Sequence, residues 1–167
     1  MSFQYEHFFR DNRDCFQMSV LIGNRLCTHA GVGNDFLKSV GFWKMDSADE
    51  SIISDYLNEL FHYKPNEFTF DGGYDRNNTG VIPSYYGDDD WQSPIWIRPR
   101  SLQRVNKKTD LKKNYIQIVG HTQQDHIDIK GKTTGGKYYY IDTLPSGEYL
   151  IDVDGEFEIG YATIVKY

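Results

Sequence analysis

Short apolar runs near the N-terminus are separated by residues that favour a tight turn. Residues 18–22 and 26–28 form two such runs, and Gly23 and Asn24 lie between them. A two-residue connection of this type favours the positive φ angles of turns that join antiparallel strands. The pattern therefore predicts a hairpin that ends immediately before His29.

Two helices are predicted after this hairpin. The first is short and covers residues 34–40, with Asn34 as its cap and Gly41 as its stop. The second follows Ser47-Ala48-Asp49-Glu50, which has the form of a capping box. Apolar side chains then recur at the spacing of one helical face until Pro65, which is expected to end the helix.

The composition changes after the second helix. Residues 66–93 are rich in Gly, Asp, Asn and Tyr, and they include the run Asp88-Asp89-Asp90. Loops of this length in compact domains tend to be functional or mobile. We predict a long irregular acidic loop that lines a pocket, presents a binding surface or forms a solvated insertion.

The last third of the chain is rich in strand-like runs. These runs cover residues 115–119, 127–129, 138–143, 149–153 and 157–165. Asp154 and Gly155 separate the last two runs and are a strong hairpin signal. The basic stretch at 104–113 is expected to be a solvated helix face or loop. The pattern predicts an antiparallel sheet in this third of the chain, reached from a buried central strand.

Composition narrows the class of protein. The chain has 167 residues, so a single domain over residues 1–167 is expected. Its net charge of −6 argues against binding to a phosphate backbone, and nucleic acid is not an expected partner. No run approaches the ~20 apolar residues that span a bilayer, and the N-terminus does not have the pattern of a secretory signal. We therefore expect no membrane association and a cytoplasmic location, with Cys15 and Cys27 as packed, reduced thiols.

Two histidine motifs follow apolar runs and are the best candidates for chemistry. They are Thr28-His29-Ala30-Gly31 and Gly120-His121-Thr122, in which small residues leave room for a sharp turn. Imidazole is a neutral ligand suited to Mn, Fe or Zn, and pairs of such metals hydrolyse phosphoesters. Two histidines alone would hold these metals loosely. A histidine at a strand end also commonly has a structural role.

The order of several motifs resembles one enzyme family. They are "THAG" at 28–31, "IWIRPR" at 95–100, "QIVGHT" at 117–122, and "YYYIDT" with "GEYLIDVD" within 138–154. With these motifs the chain resembles the calcineurin-like metallophosphoesterases, particularly the bacterial and phage protein-phosphatase and dinucleoside-tetraphosphatase-like branch. The resemblance covers most of residues 18–154. It implies an α/β fold of the α+β type, which is the second half of a two-sheet sandwich with a mostly antiparallel sheet and two or three helices.

The resemblance also implies roles for individual residues. His29 and His121 match the two late histidines of the family, which bind the second metal of a dinuclear site. Arg98 matches an arginine that lies near the phosphate in some branches. Mn or another divalent transition metal is the implied cofactor. Asp142 and Thr143 match a closing strand with a structural role.

The sequence also departs from the family. The Gly-Asp-x-His, Gly-Asp-x-x-Asp-Arg-Gly and Gly-Asn-His-Asp/Glu motifs, which supply the bridging carboxylate and other ligands, do not occur before His29. The run Gly73-Tyr74-Asp75-Arg76-Asn77 resembles the second motif but follows "THAG", so we interpret it as coincidental. Asp125 and Asp128 could supplement the metal shell. A structural or surface role is favoured for the remaining histidines, which are His7, His62 and His126.

Three functional hypotheses follow from this pattern. The favoured one is a truncated metallophosphoesterase-like chain that is not catalytic alone. It acts as a protein-binding or inhibitory module of the kind that phages encode, with Asp88 to Asp90 facing a basic partner. The alternative is a metal-dependent phosphomonoesterase that a partner chain completes with carboxylates. In the third, the chain is an inert gene fragment, and the resemblance reflects only common ancestry. A protein partner or a homo-oligomer is expected to cover the face that the missing half would leave.

Overall fold

The computed structural model describes residues 7–8, 11–43, 48–70, 89–108, 116–128 and 138–163. This part of the chain is mixed α/β, with three helices, a four-stranded sheet and a two-stranded sheet. In chain order the elements are β1 (Ser19–Ile22), β2 (Arg25–Thr28), α1 (Asn34–Ser39), α2 (Glu50–Tyr63), α3 (Pro99–Lys108), β3 (Ile116–Val119), β4 (Tyr138–Tyr140), β5 (Glu148–Val153) and β6 (Glu156–Tyr161). Short 3₁₀ turns occur at Arg13–Cys15 and Pro65–Glu67. Within these ranges, no helix combines the length and the apolar character needed to cross a membrane.

The larger sheet has the strand order β1-β2-β3-β4. β1 and β2 are antiparallel, whereas β2 pairs with β3, and β3 with β4, in parallel. β5 and β6 form the separate antiparallel sheet. The predicted α/β class is therefore confirmed, but the centre of the larger sheet is parallel rather than antiparallel. Because β2 and β3 run in the same direction, the residues that follow them lie at the same edge of the sheet.

Both predicted hairpins are present. Gly23 has a φ of 60° in the turn between β1 and β2. Asp154 and Gly155 have φ values of 51° and 95° in the turn between β5 and β6. These positive angles are the ones that the turn residues in the sequence favour.

The predicted helices form with small differences at their starts. The N-cap of α2 is Asp49, whose Oδ1 accepts a hydrogen bond from the Ile52 N–H at 3.0 Å. The predicted capping box places this cap at Ser47, which lies outside the described residues. α2 ends at Tyr63, just before Pro65, as predicted.

The start of α1 is also shifted by one residue. Gly33 is the N-cap and Asn34 is the first helical residue, so the prediction that Asn34 caps this helix is wrong. Gly41 has a φ of 87° just past the helix, which confirms its predicted role as the stop.

Two other predictions differ from the structure. Residues 127–128 are not a strand, because the Ile127 N–H donates to the side chain of Glu148 at 2.8 Å instead of to a neighbouring strand. Residue 129, the last of that predicted strand, lies outside the described ranges. Both cysteines are free, but Cys15 is exposed rather than packed. Burial raises the pKa of the half-buried Cys27 thiol, which keeps it protonated.

The core lies between the helices and one face of the larger sheet. Leu26 of β2 is fully buried in a cluster with side chains of α1 and α2, among them Phe36 and Leu57. A second cluster joins Val119 of β3 to Leu102 of α3. The opposite face of the sheet carries Val20, Cys27 and Ile118 in one row of paired residues, and the helices of the described ranges pack on the other face.

Candidate metal centre

The parallel pairing of β2 and β3 brings the two histidine motifs together. Thr28 pairs with Val119 at the ends of these strands. His29 follows Thr28 directly, and His121 follows Val119 by two residues. The Gly120 N–H donates to the His29 carbonyl at 3.0 Å, which extends the pairing past the strand ends.

The two imidazole rings face each other at this edge. His29 Nε2 lies 3.0 Å from His121 Nδ1, and the ring centroids are 4.8 Å apart with a tilt of 59°. An N–H···N hydrogen bond has this length. Two nitrogens bound to one cation at about 2.1 Å and at right angles would also lie about 3.0 Å apart. The arrangement therefore fits a proton or a metal ion between the two nitrogens.

Backbone contacts fix the turn that carries His29. The Gly31 N–H donates to Thr28 Oγ1 at 3.0 Å, and the Ala30 N–H donates to the Pro94 carbonyl at 2.6 Å. Gly31 has a φ of 100°, and a Cβ at this position would meet the buried side chain of Leu102. The glycine is required both by the backbone conformation and by the close approach of α3.

A buried amide holds the next part of this turn. Gln117 of β3 is fully buried, and its Oε1 accepts a hydrogen bond from the Val32 N–H at 2.8 Å. Its Nε2 donates to the Val32 carbonyl at 3.2 Å. Gln117 therefore pairs with both backbone groups of Val32, and it connects the His29 turn to the strand that leads to His121.

The backbone at His121 is in an unusual conformation. His121 has a φ of 66°, and the Thr122 N–H donates to the Gly120 carbonyl at 2.7 Å across it. Residues other than glycine seldom adopt this left-handed conformation, although histidine does so more often than most. Such strained residues are concentrated at functional sites, so the conformation supports a role for His121 beyond packing.

Trp96 and Arg98 complete the surroundings of the pair. The Trp96 ring lies 5.1 Å from the His121 ring between centroids. The Arg98 guanidinium lies 5.5 Å from the Trp96 ring, and its Nη1 donates to Thr122 Oγ1 at 3.2 Å. The structure thus brings Arg98 next to His121, one of the two histidines of the predicted site.

Several groups act on the protonation of His121. Burial lowers its pKa most, and the charges of Arg98 and His29 lower it further. Asp142 and a backbone group of Trp96 act in the opposite direction without reversing the shift. His121 is therefore neutral at neutral pH, which is the form that binds metals. Its Nε2 is buried and has no hydrogen-bond partner within the described ranges.

The remaining predicted ligands are not part of this cluster. The described residues contain no group of three His, Cys, Asp or Glu side chains placed to hold a metal, so neither Asp125 nor Asp128 completes the pair into such a group. The Gly73 to Asn77 run lies outside the described residues. His62 and His126 face carboxylates instead, at 3.7 Å from Asp14 and 2.8 Å from Glu148. The side chains present fit part of a metal site.

Sequence reasoning missed two contributors to this site. The sequence identifies Trp96 only as part of a motif and indicates no chemistry for Asp142. The structure places the ring of Trp96 against His121. It also places the carboxylate of Asp142 close enough to oppose part of the lowering of the His121 pKa. Nothing local in the sequence indicates these two contacts. Asp142 and Thr143 lie past the end of β4 rather than in the predicted closing strand, and the Thr143 hydroxyl donates to the Glu148 carbonyl at 2.8 Å.

Comparison of the chain with known protein families, curated proteins and solved structures finds no match.

Proposed function

We propose that this chain contributes the two-histidine part of a divalent metal site of the metallophosphoesterase type. The 3.0 Å approach of His29 Nε2 and His121 Nδ1 is the observation that supports the proposal. Both nitrogens come from strand-end turns at one sheet edge, and His121 is neutral at neutral pH. The substrate class we propose is the phosphomonoester.

The residues at this edge have separate roles in the proposal. His29 and His121 would hold Mn²⁺ or another divalent transition metal, which supplies Lewis-acid polarisation of a phosphoryl oxygen when bound. Arg98 is anchored on Thr122 and provides positive charge beside the pair for a phosphate group. Trp96 packs on His121 and limits the access of water to that ring.

Two imidazoles bind such metals weakly, so the proposal requires additional carboxylates. These would come from residues outside the described ranges or from a second polypeptide. In the second case the chain hydrolyses phosphomonoesters only in the complex.

The test is calorimetric titration of the 167-residue chain with MnCl₂ and with ZnCl₂, beside His29→Gln and His121→Asn. Asparagine is chosen at position 121 because it tolerates a positive φ. His126→Gln is the matched control, since this exposed histidine faces Glu148. Loss of one of two ligands should weaken metal binding by about tenfold or more, by analogy with ligand-shell substitutions. The control should bind as the parent chain does.

Hydrolysis of p-nitrophenyl phosphate is measured on the same samples. Turnover that both substitutions abolish would support a site completed within this chain. Metal binding without turnover would support completion by a second polypeptide. A folded parent chain that binds neither metal, or that binds both as well after His29→Gln and His121→Asn, would contradict the proposal.

A second candidate function is a non-catalytic protein-binding module, and the uncovered face of the larger sheet favours it. Val20, Ile22 and Ile141 are 50%, 43% and 37% exposed, and they line a groove of about 440 Å³ that extends to His29. The outer strand β1 of this sheet is better protected from pairing with another chain than the face is. Asn58 Oδ1 accepts hydrogen bonds from the backbone N–H groups of residues 18 and 19 in and beside β1, at 2.9 and 3.1 Å. A second copy or a partner protein would therefore cover the face rather than extend the sheet.

Asp88 to Asp90 give less support to this candidate than the sequence indicates. Asp88 lies outside the described residues. Asp90 accepts a hydrogen bond from Arg104 Nε at 2.7 Å, and Asp89 Oδ1 accepts one from the Trp91 N–H at 3.0 Å. Self-association through the open face is tested by sedimentation of the samples that were prepared for metal titration. A monomer at micromolar concentration would contradict the hypothesis that a second copy of the chain covers this face.

A further inference from the structure

A second concave surface lies on the outer side of α2, apart from the histidine pair. It has a volume of about 490 Å³ and lies where the chain leaves α1. Gly41 turns the backbone with a φ of 87°, after which Phe42 is buried and Trp43 is 81% exposed. Tyr56 of α2 forms another part of the lining. We call this surface the Trp43 groove.

The aromatic lining of the Trp43 groove is held in place from within. The rings of Phe42 and Tyr56 pack at 4.8 Å between centroids, with a tilt of 51°. The Tyr56 hydroxyl donates to the Val40 carbonyl at 2.6 Å. Burial and the charge of Glu67 raise the pKa of Tyr56, so its hydroxyl stays protonated. The exposed Trp43 ring therefore lies beside a fixed aromatic surface.

Two carboxylates line the same groove. Asp55 and Glu59 are exposed and lie one helical turn apart on α2. Within the described ranges neither forms an ion pair, and no lining residue is basic. Like charges at this spacing repel each other. Other carboxylates in the structure face a cation, as Asp90 faces Arg104 and Asp152 faces Arg25.

An exposed tryptophan face beside two carboxylates that form no ion pair with the described residues matches the chemistry of one side chain in particular. A guanidinium group stacks flat on an aromatic ring and donates several hydrogen bonds in its plane to carboxylate oxygens. A lysine ammonium carries the same charge but cannot stack in this way. The net charge of −6 also favours the approach of a basic chain.

We propose that the Trp43 groove binds an arginine side chain from a basic segment of a partner protein. The guanidinium lies against Trp43 and is neutralised by Asp55 and Glu59. The interaction uses none of the residues around His29 and His121, so it stands or fails independently of the proposed metal site.

The test is nuclear magnetic resonance titration of the ¹⁵N-labelled 167-residue chain with the peptide acetyl-Gly-Arg-Gly-Arg-Gly-amide. Two further peptides replace arginine by lysine or by citrulline, which keeps the shape of arginine but has no charge. The indole signal of Trp43 is assigned from its absence in Trp43→Phe. We expect it to shift saturably with the arginine peptide, less with the lysine peptide and not with the citrulline peptide.

Two double variants separate local recognition from general attraction. Asp55→Asn with Glu59→Gln removes both charges of the groove, and Glu156→Gln with Glu158→Gln removes the same charge from exposed positions of β6. The groove variant should weaken arginine-peptide binding by about fivefold or more, while the β6 variant changes it less than about twofold. Circular dichroism of each variant verifies that the helices are intact.

Several results would overturn the proposal. These are the absence of a saturable shift at millimolar peptide, equal weakening by the two double variants, and binding of the lysine peptide as tight as that of the arginine peptide. Dimers in sedimentation that Trp43→Ala dissociates would instead assign the groove to a second copy of this chain. In that case the arginine assignment fails as well.

Discussion

At the scale of single residues, the turn that carries His29 depends on Gly31. Replacement by alanine places a Cβ at a φ of 100° and against Leu102, which is fully buried. We expect Gly31→Ala to lower the free energy of unfolding by about 2–4 kcal/mol, from backbone strain together with overpacking. Urea denaturation measures this loss.

Gly155 supplies the matched control for that substitution. It has a similar φ of 95°, but a Cβ there meets no atom within 4 Å. Gly155→Ala should therefore show only the strain, about 1–2 kcal/mol. Equal losses in the two variants would mean that the contact with Leu102 contributes nothing.

The sequence predicted the two central residues of the candidate site but not their surroundings. His29 and His121 were identifiable because each is flanked by small residues at the end of an apolar run. Their 3.0 Å approach depends on the parallel pairing of β2 with β3, which are separated by almost ninety residues. The positive φ of His121 and the contact with Trp96 arise from tertiary structure as well, and no local pattern encodes them.

At the scale of elements, local signals predicted the hairpins and α2 well. Turn residues such as Gly23, and the apolar stripe of α2, act over a few positions and are visible in a single sequence. The predicted strand at 127–129 is wrong in its described part for the opposite reason. The backbone at Ile127 is satisfied by Glu148, twenty-one residues away, and this competes with strand pairing.

The same contact makes the start of β5 sensitive to acid. Hydrogen bonds from the Ile127 N–H and from His126 hold the pKa of Glu148 below its ordinary value of 4.5. The folded state therefore favours the carboxylate, and this contribution to stability is present above pH 4.5 and is lost as the pH falls through the lowered pKa. We expect Glu148→Gln to melt at a lower temperature than the parent chain at pH 7, with the difference shrinking in acid.

Thermal melting of both proteins between neutral and acidic pH measures that difference. Glu156→Gln is the control, since this exposed glutamate begins the neighbouring strand β6. It should melt as the parent chain does throughout the range. A gap between the parent and Glu148→Gln that does not change with pH would show that the charge of Glu148 is not its source.

At the scale of the whole molecule, the β5–β6 hairpin covers part of the sheet face that the helices leave open. Tyr139 of β4 packs on Phe157 of β6, with ring centroids 4.5 Å apart. Arg25 of β2 lies over the same Phe157 ring at 4.1 Å. The rest of that face, around Val20 and Ile141, stays exposed and forms the groove beside His29. Arg25 and Tyr139 therefore connect the hairpin to the larger sheet through the Phe157 ring.

This attachment makes the contact between Arg25 and Asp152 important for the docking of the hairpin. Arg25 Nη1 lies 2.8 Å from Asp152 Oδ2, and both side chains are largely buried, at 11% and 20% exposure. A double-mutant cycle with Arg25→Met and Asp152→Asn should give a coupling free energy of about 1–3 kcal/mol. The same cycle at Lys38 and Asp35, which are 3.7 Å apart with Lys38 43% exposed, should give about 0.5 kcal/mol or less. In hydrogen exchange, Arg25→Met should deprotect the amides of β5 and β6 before those of β3. Equal coupling in the two cycles would mean that the buried ion pair contributes no more than the exposed one. Deprotection of both sheets together would mean that the hairpin and the larger sheet unfold as one unit.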